Sequence, residues 1–313
     1  MRLGSETLIA AALLCCACGN LSNEDIAFLE ALPRRDDLHV AVPANAAQPA
    51  CLLGDASQWR GAKDTGDKLN AGVDGILALV DAVRAISPSS RRPDLRVWGP
   101  FPDRSHPGVE FEVSILRIPP PPGSGNATQA WSYAFDARRD GGKYLEILYG
   151  VFVGAQARSG LGELQIDFDN SRALQINSPN DPTGTAFFHY DLTGDPRIVQ
   201  IDLGAAGLGL SQFDYFYAGY ANGSGRFDYL FPDAQGNRYT LQTWFTRSGT
   251  GKAHILVRTP PPLTLSGTID ECWDASACLT YLVDPLDLTP ACAGKPPGTC
   301  ILGDPLTGCP AVP

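Results

Sequence analysis

An alternation of apolar and polar residues runs through the middle of this chain and limits its fold more than any other feature. Between residues 143 and 257, apolar side chains recur at every second position, as at Leu164, Ile166 and Phe168, with an amide and an acid between them. A period of two is typical of a strand with one buried face, whereas a helix would spread these residues around its axis. The pattern therefore predicts a body made mainly of β-strands.

Short turn signals separate the predicted strands. Glycine supplies the positive φ that tight turns need, and Asp-Pro also favours a turn. Such signals lie at residues 139–142, 159–162, 193–196, 222–225, 234–237 and 248–251. Consecutive strands joined by short turns form an antiparallel meander. We therefore predict a mainly β fold with one large antiparallel meander of roughly ten strands, twisted or rolled because flat sheets of that size are unusual. An α+β fold is the alternative.

One long amphipathic helix is predicted ahead of the sheet. Its apolar residues fall at spacings of three and four, which places them on one helical face: Leu69, Val73, Ile76, Leu77, Val80, Val83 and Ile86. Thr65 or Asp67 can cap its start, and the Ser-Pro pair at residues 87–88 ends it. We expect this face to pack against the sheet, with a groove for a partner as the alternative. A short helix is predicted over residues 22–32, whereas residues 36–60 show no regular pattern.

The first twenty residues carry a targeting signal. Residues 8–14 are apolar but too few to span a bilayer, which needs about 20 residues. The cysteine-rich sequence at residues 15–18 follows. Here the chain resembles bacterial lipoproteins, in which a small residue such as Ala17 precedes the cysteine that is lipidated, although Cys15 stands where that motif usually has leucine. The resemblance implies that residues 1–17 are a signal peptide and that Cys18 carries the membrane anchor.

The residue after the anchor suggests a compartment. Lipoproteins with a non-acidic residue after the lipidated cysteine are typically sorted to the outer membrane, and Gly19 stands there in this chain. The resemblance therefore implies a protein of the bacterial cell envelope, more specifically of its outer membrane. Several acyl chains give stable attachment, since a single chain gives only marginal binding.

The cysteine count supports Cys18 as the acceptor. With Cys18 lipidated, six cysteines remain: Cys51, Cys272, Cys278, Cys292, Cys300 and Cys309. An even number in an exported protein predicts three disulfides. Lipidation of Cys16 instead would leave seven. The spacing makes Cys272–Cys278 a plausible local bridge, while Cys51 must reach across the sequence. A zinc site is disfavoured because these six cysteines contain no CxxC pair.

These signals divide the chain into four segments. Residues 1–17 form the signal peptide, and residues 18–60 form the anchor and N-terminal tether. Residues 61–283 form the helix and the meander. Residues 284–313, rich in Cys, Pro and Gly, form a disulfide-linked tail packed on the same domain.

Composition excludes some partners, and the motif search predicts no chemistry. The net charge of −10 argues against nucleic acid, since phosphate binding needs a basic surface. The sequence contains no HExxH, P-loop or GxSxG motif, so we predict neither an enzyme nor a cofactor. Acids recur on the polar face of the predicted strands, and Asp167 and Asp169 are a weak candidate for Ca²⁺. Paired carboxylates also leave a glycoside hydrolase as a distant alternative.

Aromatic residues on both faces of the predicted sheet suggest a binding groove. Phe187, Phe216 and Trp244 fall on the face opposite their strand's main apolar stripe. If the helix covers one face, the other aromatics can line a groove for an apolar ligand. We predict a membrane-anchored lipoprotein that binds an apolar ligand or lipid in a groove between sheet and helix. A non-catalytic interaction or structural module of the envelope, binding another envelope protein, is the alternative.

Overall fold

The body of the protein is a single antiparallel sheet whose strand order follows the sequence. The computed structural model describes residues 21–43, 50–123, 128–156, 158–176, 183–204, 213–232, 236–260, 266–296 and 298–312. Within these ranges fifteen strands form one sheet, and each pairs with its neighbours in sequence. The mainly β meander is therefore confirmed. The lipidation motif, including Cys18, lies outside the described residues.

The strands are short to medium in length. Their bounds are β1 (Ser90–Arg91), β2 (Leu95–Pro102), β3 (Val109–Ile118), β4 (Gln129–Arg139), β5 (Leu145–Gln156), β6 (Ser159–Asp167), β7 (Thr185–Asp191), β8 (Arg197–Gly204), β9 (Phe213–Gly219), β10 (Gly225–Pro232), β11 (Arg238–Phe245), β12 (Gly251–Arg258), β13 (Ser266–Trp273), β14 (Leu279–Asp284) and β15 (Cys300–Gly303). The sheet has more strands than the roughly ten predicted, and its last two, β14 and β15, extend it into the cysteine-rich tail.

Five helices accompany the described strands. They are α1 (Asn23–Leu29), α2 (Arg35–Leu38), α3 (Ser57–Arg84), α4 (Phe168–Ala173) and α5 (Pro305–Gly308), with a 3₁₀ turn at Pro290–Cys292. None of these helices combines the length and the apolar content that crossing a membrane requires. Helix α3 is the long amphipathic helix of the prediction, and Val73, Leu77, Val80 and Val83 are buried in the core as expected.

Helix α3 begins earlier than predicted, and its cap comes from the sheet. Neither Thr65 nor Asp67 caps it, because its first residue is Ser57. The carboxylate of Glu271 on β13 accepts hydrogen bonds from the backbone N–H groups of Gln58 (3.0 Å) and Trp59 (3.2 Å). Those N–H groups have no partner within the helix. The helix start is therefore fixed by a tertiary contact, and the predicted boundary at residue 61 falls inside α3.

The sheet is rolled around α3. Near the helix start, the Trp59 ring lies 5.0 Å from that of Trp273 on β13. Beyond the helix end, the Trp98 indole N–H on β2 donates to the carbonyl oxygen of Ile86 at 3.0 Å. Eleven steps in strand order separate β2 from β13, a distance of about 53 Å in a flat sheet at about 4.8 Å per strand. The helix is only about 42 Å long at 1.5 Å per residue, so the sheet must curve to meet both ends.

Glycines on the covered face make this packing possible. We call the face that contacts α3 the inner face and the opposite one the outer face. Gly162 lies on β6 directly across from Tyr190 of β7. A Cβ added to Gly162 would lie 1.9 Å from the Tyr190 ring, so only glycine leaves room for that ring. Residues 159–162, which we predicted as a turn, therefore belong to β6. Gly162 among them leaves space for the Tyr190 ring on the inner face.

Three disulfides join the six remaining cysteines, which confirms the predicted number. They connect Cys51 to Cys278, Cys272 to Cys309 and Cys292 to Cys300. The local bridge expected between Cys272 and Cys278 was wrong. Cys278 lies in a segment that pairs with the chain just before α3, where Ala56 N–H donates to the Ala277 carbonyl oxygen, so Cys51 is its nearer partner.

Candidate functional site

An apolar pocket lies between the start of α3 and the inner face of strands β10 to β13. Its volume is about 240 Å³. Its lining is Gln58, Tyr229, Phe231, Tyr239, Leu241, Ile255, Ile269 and Leu288. We call this cavity the sheet–helix pocket. It occupies the position in which the sequence predicts a groove, between a curved sheet and the amphipathic helix.

A run of stacked aromatic rings forms one wall of the sheet–helix pocket. The ring centroids of Tyr229 and Phe231 are 5.5 Å apart, and those of Phe231 and Tyr239 are 4.9 Å apart. Burial raises the pKa of Tyr229 to about 12, although a hydrogen bond with Thr65 opposes the shift. The Tyr229 hydroxyl is therefore neutral at physiological pH. The wall offers flat apolar surfaces to a ligand, with few polar groups to orient it.

Glu271 lies next to this pocket and binds the start of α3. Its carboxylate contacts the N–H of Gln58, a lining residue, as described above. Burial raises the pKa of Glu271 to about 7, against the opposing effect of the backbone N–H groups of Gln58 and Trp59. The buried acid is thus close to half-ionised near neutral pH.

We expect Glu271 to make stability depend on pH. Its folded-state pKa of about 7 lies above the ordinary value of 4.5, so the folded protein holds the proton more tightly than the unfolded chain. The free energy of unfolding should therefore fall as pH rises from about 4.5 to 7, by about 3 kcal/mol in total. Urea titrations of wild type and Glu271→Gln should show this loss only in wild type, because glutamine does not ionise. A constant difference between the two proteins across this pH range would contradict the assignment.

A second cavity, which we call the outer groove, lies on the outer face. It crosses β7 to β11 and has a volume of about 390 Å³. Its lining is His189, Gln200, Ile201, Asp202, Asp214, Tyr215, Phe216, Asp228, Tyr229, Leu230 and Thr240. This groove is richer in carboxylates than the sheet–helix pocket.

The carboxylates of the outer groove repel one another. Asp202 and Asp214 are directly opposite across β8 and β9. Burial and the neighbouring Asp202 raise the pKa of Asp214. Burial also raises the pKa of Asp228, although Arg226 donates to its two oxygens at 3.0 and 2.8 Å. Asp214 and Asp228 therefore hold their protons more readily than free aspartates do.

The three predicted groove aromatics all lie on the outer face. Phe216 lines the outer groove. The guanidinium of Arg226 lies over the rings of both Phe216 (5.6 Å) and Trp244 (5.2 Å), which joins these two residues across the sheet. Phe187 is 37% exposed and lies across from Asp202. Of the three, Phe216 alone is among the residues that line the outer groove, and none of them lines the sheet–helix pocket.

The weak calcium candidate has another structural role. The Asp167 carboxylate caps α4 by accepting the Asn170 N–H at 2.8 Å. The Asp169 carboxylate accepts the Gly184 N–H at 2.9 Å. Across the described ranges, no three His, Cys, Asp or Glu side chains are grouped to hold a metal ion. Phe168, which the alternation placed in a strand, instead begins α4, and Asp167 is the N-cap of that helix.

Comparison with known proteins assigns no family. The chain matches no family model, no curated protein and no solved structure. The function is therefore inferred from the geometry of the pockets and from the residues and motifs of the sequence.

Proposed function

We propose that this protein is an exported lipoprotein, anchored through Cys18, that binds a small apolar ligand in the sheet–helix pocket. The observation that carries the proposal is the apolar, aromatic-lined cavity of about 240 Å³ between α3 and strands β10 to β13. The three disulfides support an oxidising compartment outside the cytoplasm. The lipoprotein motif supports the bacterial envelope, and Gly19 supports the outer membrane.

The size of the pocket limits the ligand. An apolar cavity of about 150 Å³ is large enough for benzene. A cavity of about 240 Å³ therefore accommodates one aromatic ring system or a short acyl segment, and the rest of a larger lipid would lie outside. The stacked rings of Phe231 and Tyr239 favour a flat or extended apolar group.

A second candidate function is favoured by the outer groove. Its exposed carboxylates and the Phe216 ring suit a non-catalytic interaction module that binds another envelope protein through this face. A carboxylate-dependent hydrolase is the more distant candidate, and Asp202 and Asp214 would then be its paired acids. Both candidates place the site on the face opposite the sheet–helix pocket. Variants on the two faces therefore distinguish these candidates from ligand binding in the sheet–helix pocket.

Substitution of Leu288 by aspartate tests the sheet–helix pocket. Leu288 lines the pocket and is 52% exposed. A carboxylate at this position would therefore contact the ligand while remaining accessible to solvent. We expect Leu288→Asp to weaken binding of the neutral probe N-phenyl-1-naphthylamine by about tenfold or more, because an apolar ligand must desolvate the new carboxylate. Fluorescence titration of the purified protein measures the dissociation constant.

Leu306→Asp is the matched control. Leu306 on α5 is 91% exposed and does not line the pocket. It receives the same change of chemistry, and we expect it to bind the probe as wild type does. Saturable binding that both variants retain equally would contradict the proposed site, as would a wild-type protein that does not bind the probe.

A further inference from the structure

The chain leaves very little length between the proposed anchor and the folded body. Helix α1 is capped by Ser22, and Cys18 lies four residues before that cap. Four residues span at most about 14 Å when fully extended, at about 3.3–3.6 Å per residue. A lipidated Cys18 would therefore hold the start of α1 beside the phospholipid headgroups.

Helix α1 is firmly attached to the sheet. Asp25 is fully buried and accepts hydrogen bonds from Arg96 on β2 (2.8 Å) and Arg91 on β1 (3.2 Å). The ring of Phe28, also fully buried, lies under the guanidinium of Arg96 at 4.5 Å. Because of these contacts, α1 cannot act as a loose spacer. The orientation of α1 at the bilayer would set the orientation of the whole body.

The surface around α1 has the chemistry of a membrane contact. Ile26 on α1 is 45% exposed, whereas Leu29 on the same helix is buried. Four arginines lie around α1, at the β1–β2 hairpin and the end of β3, beside three acids: Arg91, Arg92, Arg96 and Arg117, with Glu24, Asp25 and Asp94. Arg91, Arg96 and Arg117 form ion pairs with Glu24 or Asp25, and Arg96 is buried, so the exposed Arg92 is the arginine of this group that can meet a lipid phosphate. Arginine binds phosphate groups well, and basic residues near an anionic bilayer add to its affinity.

We infer that the surface formed by α1 and the β1–β2 hairpin seats the body on the bilayer, with Ile26 among the headgroups and Arg92 against lipid phosphates. This inference rests on the proposed anchor at Cys18. The partner is the phospholipid surface of the membrane that holds the anchor. The acidic outer face then points away from the bilayer, because an anionic bilayer repels it.

Fluorescence quenching in vesicles tests the seating. The full-length protein, processed in a bacterial host, is reconstituted in vesicles of phosphatidylethanolamine and phosphatidylglycerol that contain a headgroup-spin-labelled lipid. A fluorophore is placed on Ile26→Cys or, as the matched control, on Leu306→Cys at α5. We expect quenching at position 26 to exceed that at position 306 by about threefold or more, since quenching requires close approach to the lipid label. Arg92→Glu should lower quenching at position 26 about twofold, whereas Arg247→Glu, at another exposed site, should leave it unchanged.

The intact mass of the same preparation distinguishes a failure of the anchor at Cys18 from a failure of the seating. Acyl chains on an N-terminal Cys18 support the anchor, and a mass without them would overturn the anchor and the seating together. Equal quenching at positions 26 and 306 in an acylated protein would overturn the seating alone. Equal effects of the two charge reversals would also count against it, because the arginine–phosphate contact would then be absent.

Discussion

Replacing Asp25 by alanine is expected to lower the free energy of unfolding by about 3–5 kcal/mol, because it leaves the buried charge of Arg96 without its main partner. Arg96 is 3% exposed, and its remaining carboxylate contact is with the half-exposed Glu24 at 2.8 Å. The substitution also removes the hydrogen bond from the Ser22 N–H to Asp25, which is part of the cap of α1. Urea denaturation at neutral pH measures the loss.

A double-mutant cycle separates the ion pair from simple packing. Arg96→Met keeps most of the volume and removes the charge. We expect the double variant Asp25→Ala/Arg96→Met to be more stable than Asp25→Ala alone, since no unpaired charge remains in it. Additive losses in the cycle, or a loss below about 1 kcal/mol for Asp25→Ala, would mean that the pair does not hold α1.

The contribution of Asp25 also has a defined pH range. Burial alone would raise its pKa, but the Ser22 N–H, Arg96, the Ser22 hydroxyl and Arg91 outweigh that effect and lower the pKa to about 2. The ordinary value is 3.8, so the stabilisation is complete above that pH and is lost as the pH falls through about 2. This direction is opposite to that of Glu271, whose contribution decreases as pH rises. Stability should therefore be greatest at mildly acidic pH as far as these two groups decide it.

The sheet could be predicted from the sequence because the residue pattern that specifies each strand or turn lies within that strand or turn. In β6, β10 and β12, buried positions alternate with less buried ones, and the buried positions hold glycine or apolar side chains. The turn between β4 and β5 contains Asp140 and Gly141, both with positive φ. Strands β1 and β15 are two and four residues long. That is too short for any alternation to be recognised, so these strands were missed.

The start of α3 and the cysteine pairing could not be predicted because they depend on tertiary contacts. The first turn of α3 has no local side-chain cap. Its N–H groups are instead bound by Glu271, which is more than two hundred residues away in the sequence. Cys278 is six residues from Cys272, but both thiols bond to distant partners. The count of cysteines gives the number of disulfides, whereas the tertiary fold decides which thiols meet.

The residues that line the sheet–helix pocket were not predicted, and ligand binding in a groove between sheet and helix stays a prediction. The sequence indicates that a helix covers one face of a curved sheet, so a gap between them is a reasonable expectation. Phe231 and Tyr239 have the same parity as the core residues of their strands, and no local signal distinguishes a residue that lines a cavity from one that fills it. The two residues pair across β10 and β11, and their place in the pocket lining is visible only in the folded structure.

Removing the disulfide between Cys51 and Cys278 is expected to cost about 5 kcal/mol of unfolding free energy, the largest effect among the three bridges. The bond closes a loop with a sequence separation of 227 residues, and the loss of chain entropy in the unfolded state grows with loop length. In the folded state, Leu279 N–H still donates to the Gly54 carbonyl oxygen and Ala56 N–H to that of Ala277. The variant Cys51→Ala/Cys278→Ala should therefore keep its fold while its unfolded chain gains freedom.

The bridge between Cys292 and Cys300 is the matched control. Its cysteines are only 8 residues apart, so the variant Cys292→Ala/Cys300→Ala should lose about 2.5 kcal/mol from chain entropy. Urea denaturation under non-oxidising, non-reducing conditions should also show a steeper dependence on urea for the Cys51/Cys278 variant, because its unfolded chain exposes more surface. If the two variants lose the same stability, loop length does not govern the effect, and the bridge at Cys51 then acts through local packing around the start of α3 instead.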